Sequence, residues 1–296
     1  MYKYKIGIRP SDAFGVEIEF EGTELEKLCN CCDVPIEYSL CHKAYAPKYN
    51  NWYLDLDLTV TKEKNGKFFG GEFTSRILRD DVKSWGELEN ICSLLINNNA
   101  LSTPNCSTHI TLDVSDYLKT PEDFKIFCEV MSVYEIDMNL FYMGDKFLIR
   151  NNKEKYARSI GWQLGEVINK IDFSRDDYFK QIVKESGCFI RKDGISLHKL
   201  YYGLMEVRYP NGTFIKETIQ NFISFTYNLL EAIKNKKFNQ EYLEYVIKYE
   251  HNYFSERLKY LYYQEDEEKF CELIDIIGGD YKDEYYNQYQ KVLSTR

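Results

Sequence analysis

Five short segments of this chain repeat one pattern, an apolar residue at every second position with polar, mostly acidic residues between. In "FGVEIEFEG", Phe14, Val16, Ile18 and Phe20 alternate with Glu17, Glu19 and Glu21. In "WYLDLDLTV", Leu54, Leu56, Leu58 and Val60 alternate with Asp55, Asp57 and Thr59. "GGEFTS" sets Glu72 and Thr74 opposite Phe73, and "STHITLDV" sets His109, Thr111 and Asp113 opposite Ile110, Leu112 and Val114. "LMEVRYPNGT" sets Glu206 and Arg208 opposite Met205, Val207 and Tyr209. Successive side chains of a strand point to opposite faces, so this period predicts strands with one apolar and one polar side.

Helical spacing fills the remainder. Residues 81–97 follow Asp80 and Asp81 and place Val82, Trp85, Leu88, Cys92 and Leu95 on one stripe. Residues 121–143 take Thr120 as cap and Pro121 in the first turn, then repeat Phe124, Phe127, Met131, Tyr134 and Met138. Residues 216–234 carry Ile219, Phe222, Ile223, Leu229, Leu230 and Ile233. From about residue 239, "EYLEYVIKYEHNYFSERLKYLYY" and "EEKFCELIDIIGG" read as two more helices, the second stopped by Gly278 and Gly279. The expectation is an α+β fold, a largely antiparallel sheet drawn from both halves of the chain and covered on one side by helices. Residues 1–236 form its main unit and residues 237–296 a helical C-terminal appendage.

The polar faces carry the functional information. A solvated sheet face is the competing reading for any single strand, but such a face usually mixes Thr, Ser, Lys, Arg and Glu. Here the fronts are mostly carboxylate, with one His and one Arg. Carboxylates two apart on a strand lie about 7 Å from each other, given a rise of about 3.3 Å per residue. They repel unless a cation lies between them. Oxygen donors of this kind suit Mg²⁺ or Mn²⁺, and Mg²⁺ combines few carboxylates with phosphate oxygens, which points to a metal–nucleotide site on an open sheet face. The chain has neither a GxxxxGK[ST] loop nor a GxGxxG after a strand, so metals and a few Arg or Lys residues must hold any phosphates.

Composition narrows the partners. A formal net charge of −9 without a long basic block argues against nucleic acid and anionic membranes. No segment approaches the roughly 20 apolar residues of a membrane span, and the opening residues lack the apolar run of a secretory signal. A cytoplasmic protein is expected. The 9 cysteines, scattered and odd in number, read as reduced thiols.

The ordered set "FGVEIEFEG", "NNWYLDLDLTV", "GGEFTSRIL", "NCSTHITLDV" and "LMEVRYPNGT" resembles the amidoligases, relatives of carboxylate–amine ligases with the glutamine synthetase fold, over roughly residues 12–235. The resemblance implies a site for ATP and Mg²⁺ or Mn²⁺. Glu17, Glu19, Glu72, His109 and Glu206 would be metal ligands, and Thr59, Thr74 and Arg208 would lie beside the phosphates. Arg208 and Arg150, with Asp57, would be the catalytic residues, and Tyr156 follows Arg150 as in the family. The implied reaction makes an amide from a small-molecule or peptide carboxylate and an amine. The carboxylate attacks the γ-phosphate, the acyl phosphate is displaced by the amine, and ADP and phosphate leave. Four positions depart from the family pattern. Ser107 replaces a glycine and Thr111 a second histidine, Arg76 stands for a proline and Leu58 for a glycine. A phosphotransferase on the same fold and a noncatalytic nucleotide- or metal-binding module are the alternatives.

The remaining chemistry-bearing residues read more plainly. "CNCC" with Cys41 and His42 lacks the CxxC pair of a zinc site, so Cys29, Cys31, Cys32 and Cys41 are read as ordinary thiols. Cys106 is read as structural, Trp52 as core, and His198 and His251 as surface or packed histidines. "PNGT" at Asn211 and Gly212 reads as a turn.

Overall fold

The alternating segments assemble around β1 (Phe14–Glu24), the centre of an eight-stranded sheet. The structure, a computed structural model, describes residues 5–30, 34–39, 51–151, 153–249 and 267–296. Strand β1 pairs antiparallel with β5 (Lys67–Thr74) on one side and β6 (Thr108–Asp113) on the other. Beyond β5 lie β3 (Trp52–Asp55) and then β2 (Ile36–Ser39), whose pairing is parallel. Beyond β6 lie β8 (Leu204–Val207) and the two-residue β7 (Ile195–Ser196), and β4 (Lys62–Lys64) pairs with β5. The sheet is open and mostly antiparallel.

Its register makes the expected faces continuous. Ile18 lies opposite Phe73 and Thr108, and Leu54 opposite Phe73, while Ile110 meets Val207. On the other side Glu17 lies between Thr74 and His109, Glu19 opposite Glu72, and Glu206 opposite Thr111. The apolar side is buried against helices. Trp85 of α2 (Val82–Asn97) stacks on Phe14 at 5.1 Å, and Tyr227 of α7 (Lys216–Lys234) donates to the Ala13 carbonyl at 2.7 Å. Trp52 is fully buried and donates to Glu87, so it belongs to the core as expected.

The long helix α3 (Pro121–Phe141) starts at a capping box, in which Thr120 accepts from the Asp123 amide and Asp123 from the Thr120 amide. Nearly its whole circumference is buried, beyond the single expected stripe. Short helices α1 (Leu25–Asn30), α4 (Lys153–Tyr156), α5 (Gly161–Val167) and α6 (Tyr178–Ser186) complete the body. At the C-terminal end α8 (Gln240–Tyr249) packs on α3, and α9 (Glu267–Ile277) and α10 (Lys282–Ser294) pack on both α3 and α7. Part of the expected helix after residue 239, with His251, lies outside the described residues, as do Cys31, Cys32, Cys41 and His42.

Three local expectations are corrected and one is met. The strand "WYLDLDLTV" ends at Asp55, because the Asp57 carboxylate accepts from the Thr59 amide at 2.6 Å and its hydroxyl at 2.7 Å, closing a turn that leaves Leu58 exposed. Val82 is likewise exposed, and the buried stripe of α2 runs instead through Trp85, Leu88, Ile91, Cys92 and Leu95. The helix read in "EEKFCELIDIIGG" ends at Ile277, directly before Gly278 and Gly279 as expected, and a further helix, α10, follows them. "PNGT" is no exposed turn; Asn211 is buried, bridges to Ser107 and donates to the Leu148 carbonyl at 2.7 Å.

Beyond Phe20 the β1–β5 register shifts. There Gly70 has φ of +88°, and an added Cβ would lie 2.5 Å from the Val60 carbonyl oxygen and 2.8 Å from that of Phe20. Glycine is required by both facts. Near this irregularity the Glu21 carboxylate is buried, accepts from Asn105 at 3.0 Å and lies 3.6 Å from Lys62.

Candidate functional site

His109 is the centre of the polar face. Strand β6 projects it toward β1 and β8, and its Nδ1 lies 3.0 Å from Glu17 Oε2 and 3.9 Å from Glu206 Oε1. Its Nε2 lies 2.9 Å from Ser107 Oγ and 4.0 Å from Glu19 Oε1. Glu17, His109 and Glu206 form one triad and Glu19, Glu72 and His109 another, each with donor atoms within 4.8 Å of one another. Five residues expected to hold metal therefore converge, from β1, β5, β6 and β8.

Neighbouring groups fix their orientation. The Ser107 amide donates to Glu19 Oε2 at 2.7 Å, which leaves Oε1 facing His109. Thr74 donates to Glu72 Oε1 at 3.0 Å. Arg208, just past β8, forms an ion pair with Glu206 and donates through Nε to the Tyr156 carbonyl at 2.9 Å. Arg150 is buried and donates to the Arg208 and Pro210 carbonyls at 2.8 and 3.3 Å, so it meets the site through the main chain that carries Arg208. Asp57 and Thr59 sit in the turn after β3, hydrogen-bonded to each other. Arg76 points elsewhere, holding Glu87 at 2.8 and 3.1 Å. Cys106 is buried, its thiol pushed up to about 11 by burial, as suits a structural thiol.

The carboxylates do not behave alike. Burial works to raise the Glu17 carboxyl, but the hydrogen bond and charge of His109, with Lys199 and Arg208, hold it below its ordinary value. Glu72 is driven well above its ordinary value, first by burial and then by the charges of Glu17, Glu19 and Asp57. Negative charge is thus concentrated where Glu72 meets the other carboxylates, and a cation there would relieve it. Oxygen donors around one imidazole fit a hard divalent cation better than a thiophilic one. Mg²⁺ or Mn²⁺ would be held by Glu17, Glu19, Glu72, His109 and Glu206, and would supply charge neutralisation for phosphate oxygens.

One wall of the site had no strong signal in the sequence. Ser196 lies opposite Glu206 in the β7–β8 pairing, and its hydroxyl is 2.7 Å from His198 Nδ1. Burial lowers the His198 imidazole from its ordinary value, helped by the charges of Lys199, Arg191 and Arg208 and opposed by Glu206. A strand of two residues carries too little periodicity to be read from the sequence, and its face is set by its pairing with β8. Neither protein-family models nor curated proteins give a match to this chain.

Proposed function

We propose that this chain is an ATP-dependent carboxylate–amine ligase built on a glutamine synthetase-like sheet. The observation that carries the reading is the pair of His109-centred clusters, which bring together Glu17, Glu19, Glu72 and Glu206 from the segments that resemble the amidoligase motifs in chain order. In this reading a carboxylate substrate attacks the γ-phosphate of ATP. Phosphorylation turns a poor leaving oxygen into a good one, and an amine then displaces phosphate. Arg208, already beside Glu206, is the cation available to the transferring group. Arg150 supports it through the backbone.

The test is release of ADP and phosphate by purified protein given Mg²⁺, ATP and pooled amino acids and peptides, with an amide product identified by mass spectrometry. Glu17→Gln and Glu206→Gln are expected to lose turnover by at least the roughly 100-fold typical of a lost electrostatic contact in the transition state. Variants that turn over nucleotide as the parent does would sink the site assignment. A stable phosphorylated acceptor without condensation would make the protein a phosphotransferase. The binding-module reading has one observation in its favour, since both ring nitrogens of His109 already face protein partners, Glu17 and Ser107. Tight ATP binding with no phosphate release across the acceptor pool would select it.

A further inference from the structure

On the ligase reading, the amine acceptor arrives as an ammonium ion and must lose a proton before nitrogen can attack. The carboxylates around His109 are committed to a cation, and Arg208 is a permanent cation. A different group has to take the proton. We propose that the β7–β8 hairpin forms the acceptor side of the site and that His198 is the base that receives the amine proton.

Four observations support this. Ser196 and Glu206 are directly opposite in an antiparallel pair, so their side chains share the face that carries the clusters. Two residues further on, His198 is anchored at Nδ1 by the buried Ser196 hydroxyl at 2.7 Å. In the tautomer whose Nδ1–H donates to Ser196 Oγ, Nε2 bears the lone pair, and His198 as a residue is exposed. The electrostatics agree with this role. Partial burial, and after it the charges of Lys199, Arg191 and Arg208, oppose a further positive charge on the ring and keep it neutral near pH 7, while Glu206 supports the imidazolium once a proton arrives. Lys199 is also felt by Glu17, which sets the hairpin beside the cluster.

The step balances. The ammonium gives one proton to His198 Nε2, and the freed lone pair forms the C–N bond at the acyl carbon. The C–O bond to phosphate breaks with its electron pair, and the departing phosphate takes a second N–H proton. One N–H remains in the amide, and the imidazolium returns its proton to solvent.

Hydroxylamine separates this inference from the ligase reading, because it is largely uncharged near neutral pH and attacks an acyl phosphate without a base. Parent and His198→Gln would be given ATP, Mg²⁺ and a pool of N-acetylated amino acids, with either hydroxylamine or a pool of ammonium chloride, amino acids and dipeptides as nucleophile. The expected result is hydroxamate at the parent rate from both proteins, but amide formation at pH 7 reduced roughly 100-fold or more in His198→Gln. That deficit should shrink as pH rises and the amine deprotonates in solution. Ser196→Ala should show the same selective loss to a smaller degree. Equal losses with both nucleophiles, or no loss with either, overturn the inference alone. A parent that makes hydroxamate but no amide overturns it and leaves carboxylate activation standing. A parent that makes neither product overturns the ligase reading and this inference with it.

Discussion

Glu72 shows how a single residue reports on the site. Half-buried, and near the charges of Glu17, Glu19 and Asp57, it holds its proton well above the ordinary carboxylate range. Its folded value exceeds its unfolded one, so the metal-free protein loses stability as pH rises from the ordinary value through the folded one. Glu17 has the opposite sign, and its contribution is lost only as pH falls below the ordinary range. Above that range the Glu72 effect stands apart from that of Glu17. Glu72→Gln is expected to melt higher than the parent at pH 8 in a chelator, and to gain less from added Mg²⁺ or Mn²⁺. Melting curves with and without metal check this, and identical midpoints in chelator would show that Glu72 is not under charge repulsion. Glu17, Glu19, Glu72, His109 and Glu206 were legible because each sits in a strand whose alternation fixes its face. Ser196, His198 and Lys199 were not, because the face of a two-residue strand is set by its pairing with β8 and not by its own pattern.

At the scale of elements, legibility followed local chemistry. Helix α3 was readable from Thr120 and Pro121, and α7 from its apolar spacing, and both run close to the expected bounds. The "WYLDLDLTV" strand was misread at its end because alternation persists in the sequence after the backbone has turned. The Asp57 side chain competes for the Thr59 amide and wins over strand pairing. Between α3 and α8 lies a second titrating contact. Lys125 holds Glu129 at 3.2 Å and Glu244 at 2.9 Å, and burial pushes Glu129 up to about 7 against the pull of Lys125. A raised carboxyl means stability present at acid pH and lost as pH climbs from 4.5 toward 7. Glu129→Gln, which stays neutral, should flatten that part of the pH–stability profile and gain at most roughly 3 kcal/mol at pH 8. Denaturant melts at pH 5 and pH 8 measure it, and an unchanged slope would refute the assignment. Thr120→Ala, by contrast, should cost about 1 kcal/mol at both pH values, because the lost cap is a hydrogen bond that does not titrate in this range.

For the whole molecule, the aromatic core decides whether the C-terminal helices fold with the sheet or apart from it. Phe141 of α3 stacks on Phe225 of α7 at 4.3 Å and on Phe270 of α9 at 5.9 Å, and Phe270 stacks on Tyr289 of α10 at 4.1 Å. Helix α7 in turn reaches Ala13, the residue immediately before β1, through Tyr227. A continuous path of buried side chains therefore runs from the C-terminal helices to the strand that bears Glu17 and Glu19. The amphipathic spacing after residue 239 revealed helices but not what they pack on, since the same stripe serves a separate bundle or a shared core. Phe270→Ala distinguishes the two. If the core is shared, truncating this ring costs about 3–5 kcal/mol and lowers one cooperative transition seen alike by near-ultraviolet circular dichroism and by the metal-dependent shift in melting. If α9 and α10 fold separately, the variant gives two transitions, and the one that responds to Mg²⁺ or Mn²⁺ stays at the parent midpoint. The stacking of Phe270 between Phe141 and Tyr289 favours the single transition, in which loss of the C-terminal packing also loosens the sheet that aligns the carboxylates.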